Sequence, residues 1–176
     1  MALILKTERL VLRSFDPAFY DSFVAMNKEE EVMKYFPAPL SKEESLQFID
    51  RINNHYKDVG FSLYAVLLAS NNTFLGFTGF MTPSFDAFFT PCIEIGWRFK
   101  KEYWGNGYAT EAATACLKYA KEQLGLKEVF SFTSLHNKKS EAVMQKIGMQ
   151  RQKNFEHPKL DKTHWLCAHV LYVIQL

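Results

Sequence analysis

The stretch Cys92-Ile93-Glu94-Ile95-Gly96-Trp97-Arg98-Phe99 runs directly into Lys100-Lys101-Glu102-Tyr103-Trp104-Gly105-Asn106-Gly107 and on into Tyr108-Ala109-Thr110-Glu111-Ala112-Ala113. Its first eight residues alternate as a strand does, with Ile93, Ile95, Trp97 and Phe99 on one face and Glu94, Gly96 and Arg98 on the other. Residues 108–124 are Ala-rich and closed by Gly125, a helix whose Ala112, Ala113, Ala115 and Ala120 let it lie close against a sheet. A strand that enters a helix through Gly-x-Gly gathers free backbone N–H groups and the positive helix end at one point, and Gly105 and Gly107 leave no Cβ in the way of an anion. Ordinary tight turns use the same residues, so a phosphate site and a simple turn both remain open. Two nucleotide motifs fail outright. A dinucleotide fingerprint needs a third glycine where Thr110 stands and an acidic residue closing the strand at 129–133, and a P-loop needs Gly-Lys-Ser/Thr; none is present.

Working outward, residues 61–69 and 74–81 are apolar runs joined by Ser70-Asn71-Asn72-Thr73, a hairpin, and 83–91 is a Phe-rich loop. Upstream, 3–15 reads as one strand, Asp16-Pro17 opens a helix to about Asn27, and Ser41 with Glu44 is a capping box for a helix ended by Gly60. Downstream come a strand at 129–133, a short helix from Asn137 to Gly148, and two closing strands at 149–156 and 166–174. The order predicts a mixed α/β fold, antiparallel through its hairpins and parallel where the long helix carries the chain between strands.

With 176 residues, 48% of them hydrophobic, the chain is expected to be one domain over 1–176 with a core large enough to need no disulfide or metal. A net charge of +2 provides no broad basic field, which argues against nucleic acid as a partner. Cys92, Cys116 and Cys167 form no Cys-x-x-Cys pair and read as reduced thiols, and no run approaches the length of a membrane span. The expectation is a cytoplasmic protein without membrane or metal, a monomer or homodimer.

Taken in order, Glu94-Ile95-Gly96-Trp97, Tyr103 to Ala112, Asn137-x-x-Ser140, Lys146-Ile147-Gly148-Met149, Phe155-x-His157-Pro158 and His169-Val170-Leu171-Tyr172 resemble the GNAT superfamily of acetyl-CoA-dependent N-acetyltransferases. Within it they are similar to the RimJ/RimL-like branch that acetylates ribosomal-protein N-termini. One residue departs from the superfamily pattern: Trp104 stands where Arg or Gln is usual, in a loop that works mainly through backbone N–H groups. The resemblance implies a mostly antiparallel sheet with a splayed central strand pair and helices on both faces. It implies acetyl-CoA as co-substrate, its pantetheine arm pairing with the backbone of Trp97 and Phe99 as a missing strand would, and its phosphates held by Trp104, Gly105, Asn106, Gly107, Tyr108 and Ala109.

The implied reaction is direct attack by an amine on the thioester. Its base is expected to be Glu94, which has Gly96 beside it to leave room for a water; the competing reading is an ion pair with Arg98 on the same face. The tyrosine acid common in the superfamily is replaced by Met144, and Ser140, on the inward face of its helix, is the candidate to protonate the thiolate; alternatively it bonds the first turn beneath Asn137. Asn137 is read as N-cap, pantetheine ligand, or both. Tyr35 and His157 are the candidate acceptor-side residues, between the N-terminal helices and the segment 155–166, with a solvated loop histidine the alternative for His157. A different class also fits: a catalytically silent acyl-CoA-binding module, which keeps the 104–109 loop and needs neither Glu94 nor Ser140.

Overall fold

The computed structural model describes residues 2–176. It opens with a departure from the single strand expected at 3–15. Thr7 turns the chain back: its N–H donates to the Leu10 carbonyl at 2.9 Å, and its hydroxyl oxygen accepts from the Leu10 N–H at 3.0 Å. Two antiparallel strands result, β1 (Leu3–Lys6) and β2 (Leu10–Arg13). A threonine hydroxyl that satisfies nearby backbone competes with extended pairing, and hydropathy patterning does not register it.

The Asp16 side chain caps a 3-10 turn at Pro17–Phe19 through the Ala18 N–H, leading into α1 (Tyr20–Lys28) and the single turn α2 (Glu30–Met33). The Ser41–Glu44 capping box is formed in both directions at the start of α3 (Lys42–Val59), which ends on Gly60 at φ +83. Next come β3 (Leu63–Leu68), β4 (Phe74–Met81), β5 (Glu94–Phe99), α4 (Tyr108–Glu122), β6 (Glu128–Ser134), α5 (Lys138–Lys146), β7 (Gln150–Glu156) and β8 (Ala168–Gln175).

The strands form one sheet in the order β1-β2-β3-β4-β5-β6-β8-β7, antiparallel at every pairing except β5–β6. The α4 crossover forces that exception, because a helix returns the chain to the same end of the sheet. One face carries α4 and α5, packed through Ala112, Ala113, Cys116, Ala120, Met144 and Ile147 on Ile95, Phe99 and Val129. The other carries α1 and α3, with Phe23, Met26, Ile49 and Ile52 against Ala65, Leu67 and Phe77. Beyond the reach of α1 and α3, Phe89 and Cys92 cover Leu171 on β8, with Phe85, Phe130, Phe132 and Phe155 around them. All three cysteines are buried free thiols.

Between β5 and β6 the ladder stops almost as it starts. Glu94 opposite Phe130 is the one paired position, held by the Phe130 N–H on the Ile93 carbonyl at 2.9 Å. In a continuing parallel ladder the Ile95 carbonyl would next take the Phe132 N–H. Instead it accepts the Ser131 hydroxyl at 2.9 Å. Past that point the two strands diverge, and the mixed α/β fold with its splayed central pair is the one the sequence led us to expect.

Candidate active site

The opening is lined by backbone as well as side chains. Lys100 N–H donates to the Leu75 carbonyl at 2.9 Å, which sets the phase of the β4–β5 ladder: Arg98, Gly96 and Glu94 bond toward β4, while Trp97 and Phe99 turn their polar groups toward β6. The Phe99 carbonyl is taken by the Trp104 indole N–H at 2.9 Å, so Phe99 offers only its N–H to the opening and Trp97 offers both groups. Buried or half-buried backbone groups of this kind require partners, and an extended ligand lying in the opening supplies them.

At the mouth, the loop from Trp104 to Ala109 enters α4. Gly105 and Gly107 stand at φ +79 and +81, left-handed backbone that glycine adopts freely. Gly107 is the N-cap and no side chain caps the helix, so the first-turn N–H groups point outward from an exposed rim. Asn106 does not face a ligand with its amide nitrogen, which donates to the carbonyls of Tyr103 and Trp104 at 3.2 Å each. Trp104 does more than replace the usual Arg or Gln. It fastens the loop to β5 through its indole, and the Lys139 ammonium of α5 sits 4.4 Å from its ring centre. The structure thus brings the first turn of α5 against the loop.

In that turn Asn137 is the N-cap, its side-chain oxygen accepting from the Ser140 N–H at 3.2 Å. The Ser140 hydroxyl has no hydrogen-bond partner among the described residues, so the reading in which it merely bonds the first turn is not what is found. Ser140 is half-buried.

Glu94 lies at the closed end of the opening, on the α1/α3 face, where the register aligns it with Met81 on one side and Phe130 on the other. Its carboxylate passes over Gly96: a Cβ there would be 3.9 Å from Oε1. Burial pushes the carboxyl up to about 8. The alternative ion pair with Arg98 does not form. Arg98 Nη1 donates instead to the Asn27 side-chain oxygen at 2.7 Å, and its guanidinium lies 4.1 Å from the Phe36 ring centre. Asn27, a fully buried polar residue in α1, is the partner that strand alternation alone does not reveal.

Glu94 shares its face with Phe132, and the His157 ring packs there, 4.7 Å from Phe85 and 4.9 Å from His169. His157 is half-buried in this aromatic group; the solvated-loop alternative does not describe it. Burial first, then His169 and Lys159, lower its pKa to about 4, so the ring is neutral above that pH. Its Nδ1 accepts from the Lys159 N–H at 3.3 Å, leaving the proton on Nε2. Tyr35 belongs to a second group, 6.3 Å from Trp165, which in turn is 5.4 Å from His136. The N-terminal helices and the segment 155–166 therefore meet, but through Tyr35 and Trp165 rather than through His157. Among the described residues no group of three or more His, Cys, Asp or Glu could hold a metal ion, and no helix is long and apolar enough to cross a membrane.

A sheet parted between two parallel strands, with an uncapped helix N-terminus at the mouth and a carboxylate at the closed end, forms a cleft suited to an extended ligand that carries an anionic group. Residues 9–150 match the acetyltransferase (GNAT) domain, and the chain belongs to the GNAT family of N-acetyltransferases, which move acetyl from acetyl-CoA to amines. It is 30% identical to the uncharacterized N-acetyltransferase YnaD of Bacillus subtilis over 151 residues, 85% of this chain and 84% of that protein. A GNAT-family acetyltransferase structure from Bacillus anthracis superposes with a TM-score of 0.80 at 29% identity, covering 97% of each chain. RimL, solved with coenzyme A, superposes at 0.78 over 99% of this chain and 98% of its own, and at 15% identity shares the fold.

Proposed function

We propose that residues 1–176 form one cytoplasmic acetyltransferase domain that passes acetyl from acetyl-CoA directly to a primary amine, a peptide N-terminus or a small molecule, within a ternary complex. The observation that carries this reading is the β5–β6 opening, which joins an uncapped helix N-terminus, unpaired strand N–H groups and Glu94 along one path. Pyrophosphate binds the 104–109 loop, the pantetheine arm pairs with Trp97 and Phe99, and Asn137 holds the arm from the α5 side. The thioester then lies near a strand N–H able to stabilise the oxyanion, a donor worth roughly 3 kcal/mol in other systems.

Glu94 and α5 flank the opening from opposite faces of the sheet. The amine approaches from the α1/α3 face, losing its proton to Glu94 directly or through a water over Gly96; its nitrogen forms the new bond to the carbonyl carbon. The C–S bond breaks toward the α5 face as the nitrogen gives up its remaining surplus proton to water, and Ser140 passes a proton to the thiolate while taking one back from water, so that amide and thiol both leave neutral. Ser140→Ala is expected to lower kcat by about tenfold or more while acetyl-CoA affinity stays near wild type, measured by steady-state thiol release and calorimetry.

His157 and Tyr35 bound the acceptor side. As a neutral ring with its Nε2 proton available, His157 is suited to hydrogen-bond an acceptor carbonyl. His157→Ala should raise the acceptor KM by about three- to tenfold, the usual range for one lost hydrogen bond, with acetyl-CoA binding untouched. Unchanged kinetics for every accepted amine would remove it from the site. Varying both substrates tests the direct mechanism: intersecting double-reciprocal lines are expected, and parallel lines would require a covalent acyl-enzyme instead.

A further inference from the structure

We infer that Arg9 is a positioning residue for acetyl-CoA, neutralising Glu111 so that the first turn of α4 accepts the pyrophosphate. This rests on the reading of that loop given above, and adds to it a residue from the far end of the chain.

Glu111 stands in the first turn of α4. A carboxylate there suits an empty helix end, but it competes electrostatically with any other anion brought to the same N-terminus. It is not left bare. Arg9 Nη2 lies 2.6 Å from Oε2, Arg9 Nε donates to Oε2 at 2.7 Å, the Arg9 backbone N–H donates to Oε1 at 3.1 Å, and the Thr7 hydroxyl donates to Oε1 at 2.5 Å. Partial burial disfavours the charged carboxylate, yet these bonds and the Arg9 charge outweigh it and hold Glu111 below the usual carboxylate range. The Thr7 turn that splits the first strand is thus also what delivers Arg9 to α4.

The same guanidinium reaches the loop itself. Arg9 Nη1 donates to the Asn106 carbonyl at 3.0 Å, the guanidinium carbon lies 4.6 Å from the Tyr108 ring centre, and Nη2 would be 3.5 Å from a Cβ placed on Gly107. One cation therefore contacts the residues on both sides of Gly107 while pairing with the only acidic side chain of the first turn. Partly exposed ion pairs contribute little to stability as a rule, so the consequence of this one falls on the charge of the anion site. Removing Arg9 leaves Glu111 uncompensated beside the phosphates; removing Glu111 as well takes that repulsion away.

The test compares Arg9→Met, Glu111→Gln and the double variant, using acetyl-CoA and the phosphate-free probe S-acetylpantetheine. Arg9→Met should weaken acetyl-CoA binding about tenfold, leave kcat at saturation unchanged and leave the KM for acetylpantetheine unchanged. Glu111→Gln and the double variant should both stay within about threefold of wild type for acetyl-CoA, so that the second substitution restores what the first lost. An Arg9→Met protein that binds acetyl-CoA as wild type does, that loses both donors equally, or that is not rescued by Glu111→Gln would overturn the inference. Should Arg9→Met not fold, Arg9→Lys carries the test: retained affinity is expected because the positive charge that offsets Glu111 is kept, and about a tenfold loss would overturn it. A wild-type protein with no preference for acetyl-CoA over acetylpantetheine would overturn the loop reading itself; a preference undiminished in Arg9→Met would overturn only the role of Arg9.

Discussion

Gly107→Glu is expected to reduce acetyl-CoA binding by more than about a hundredfold in a protein that still folds, since it sets a like charge against the pyrophosphate at a dipole-focused site. The position tolerates the atoms themselves: the nearest neighbour of an added Cβ is the flexible end of Arg9, at an ordinary 3.5 Å. What the native state loses is the ease of φ +81, about 1–2 kcal/mol for a residue with a side chain. Gly107→Ala carries that strain without the charge and separates the two effects, with a small drop in melting temperature and a modest change in affinity. Calorimetry on both variants reads the difference. A folded Gly107→Glu protein with wild-type affinity would mean that the loop is only a turn.

Glu94→Gln should lower kcat/KM by about 10²–10⁴-fold, the range for loss of a positioned base. The pH profile gives the sharper signature. With the carboxyl raised to about 8 by burial, only the deprotonated fraction acts as a base, so the rate climbs as pH rises toward and through 8. Below that value each pH unit is worth roughly tenfold per titrating group, and in Glu94→Gln the remaining slope is that of the amine alone. Stability moves the other way. Because the folded value of about 8 lies above the ordinary 4.5, the folded protein holds a proton that the unfolded chain has lost, and stability falls as pH rises between them. Glu94→Gln should flatten that fall, read as a smaller loss of melting temperature between pH 5 and pH 8. A partly buried carboxyl with a raised pKa at this position thus lowers stability near neutral pH.

Much of this architecture is visible in the chain because its signals are local. The Ser41–Glu44 box, Gly60, the 70–73 turn and the Gly105/Gly107 pair each act within a few residues, and each is found as expected. The strand from 92 to 99 divides its side chains between faces as alternation requires, with Ile95 and Phe99 under α4 and Arg98 under α1. What the chain does not disclose depends on partners far apart in sequence. The Asn27–Arg98 bond spans 71 residues and the Thr7 and Arg9 bonds to Glu111 span 104 and 102. Neither has a periodicity to betray it. Ser131 is hidden for a different reason: as one polar residue in a strand it looks like any other, and its role in ending the β5–β6 ladder exists only once Ile95 is opposite. At the candidate site, motif order points to Glu94, Ser140 and the glycine loop. The neutral state of His157 and the separation of Tyr35 from it follow from aromatic packing between the 83–91 loop, β6 and β7, which no local signal encodes.

The most direct test of acetyl transfer is thiol release from acetyl-CoA by the wild-type protein against a panel of peptide N-termini, polyamines, amino sugars and amino acids, with Glu94→Gln run alongside. Amine-dependent release for at least one class, with product acetylated on nitrogen and the rate collapsing in Glu94→Gln, is the predicted result. Stoichiometric binding of acetyl-CoA with no amine-dependent release across the panel, or release that Glu94→Gln leaves intact, would contradict it; the first would make the protein an acyl-CoA-binding module and the second would move the base elsewhere.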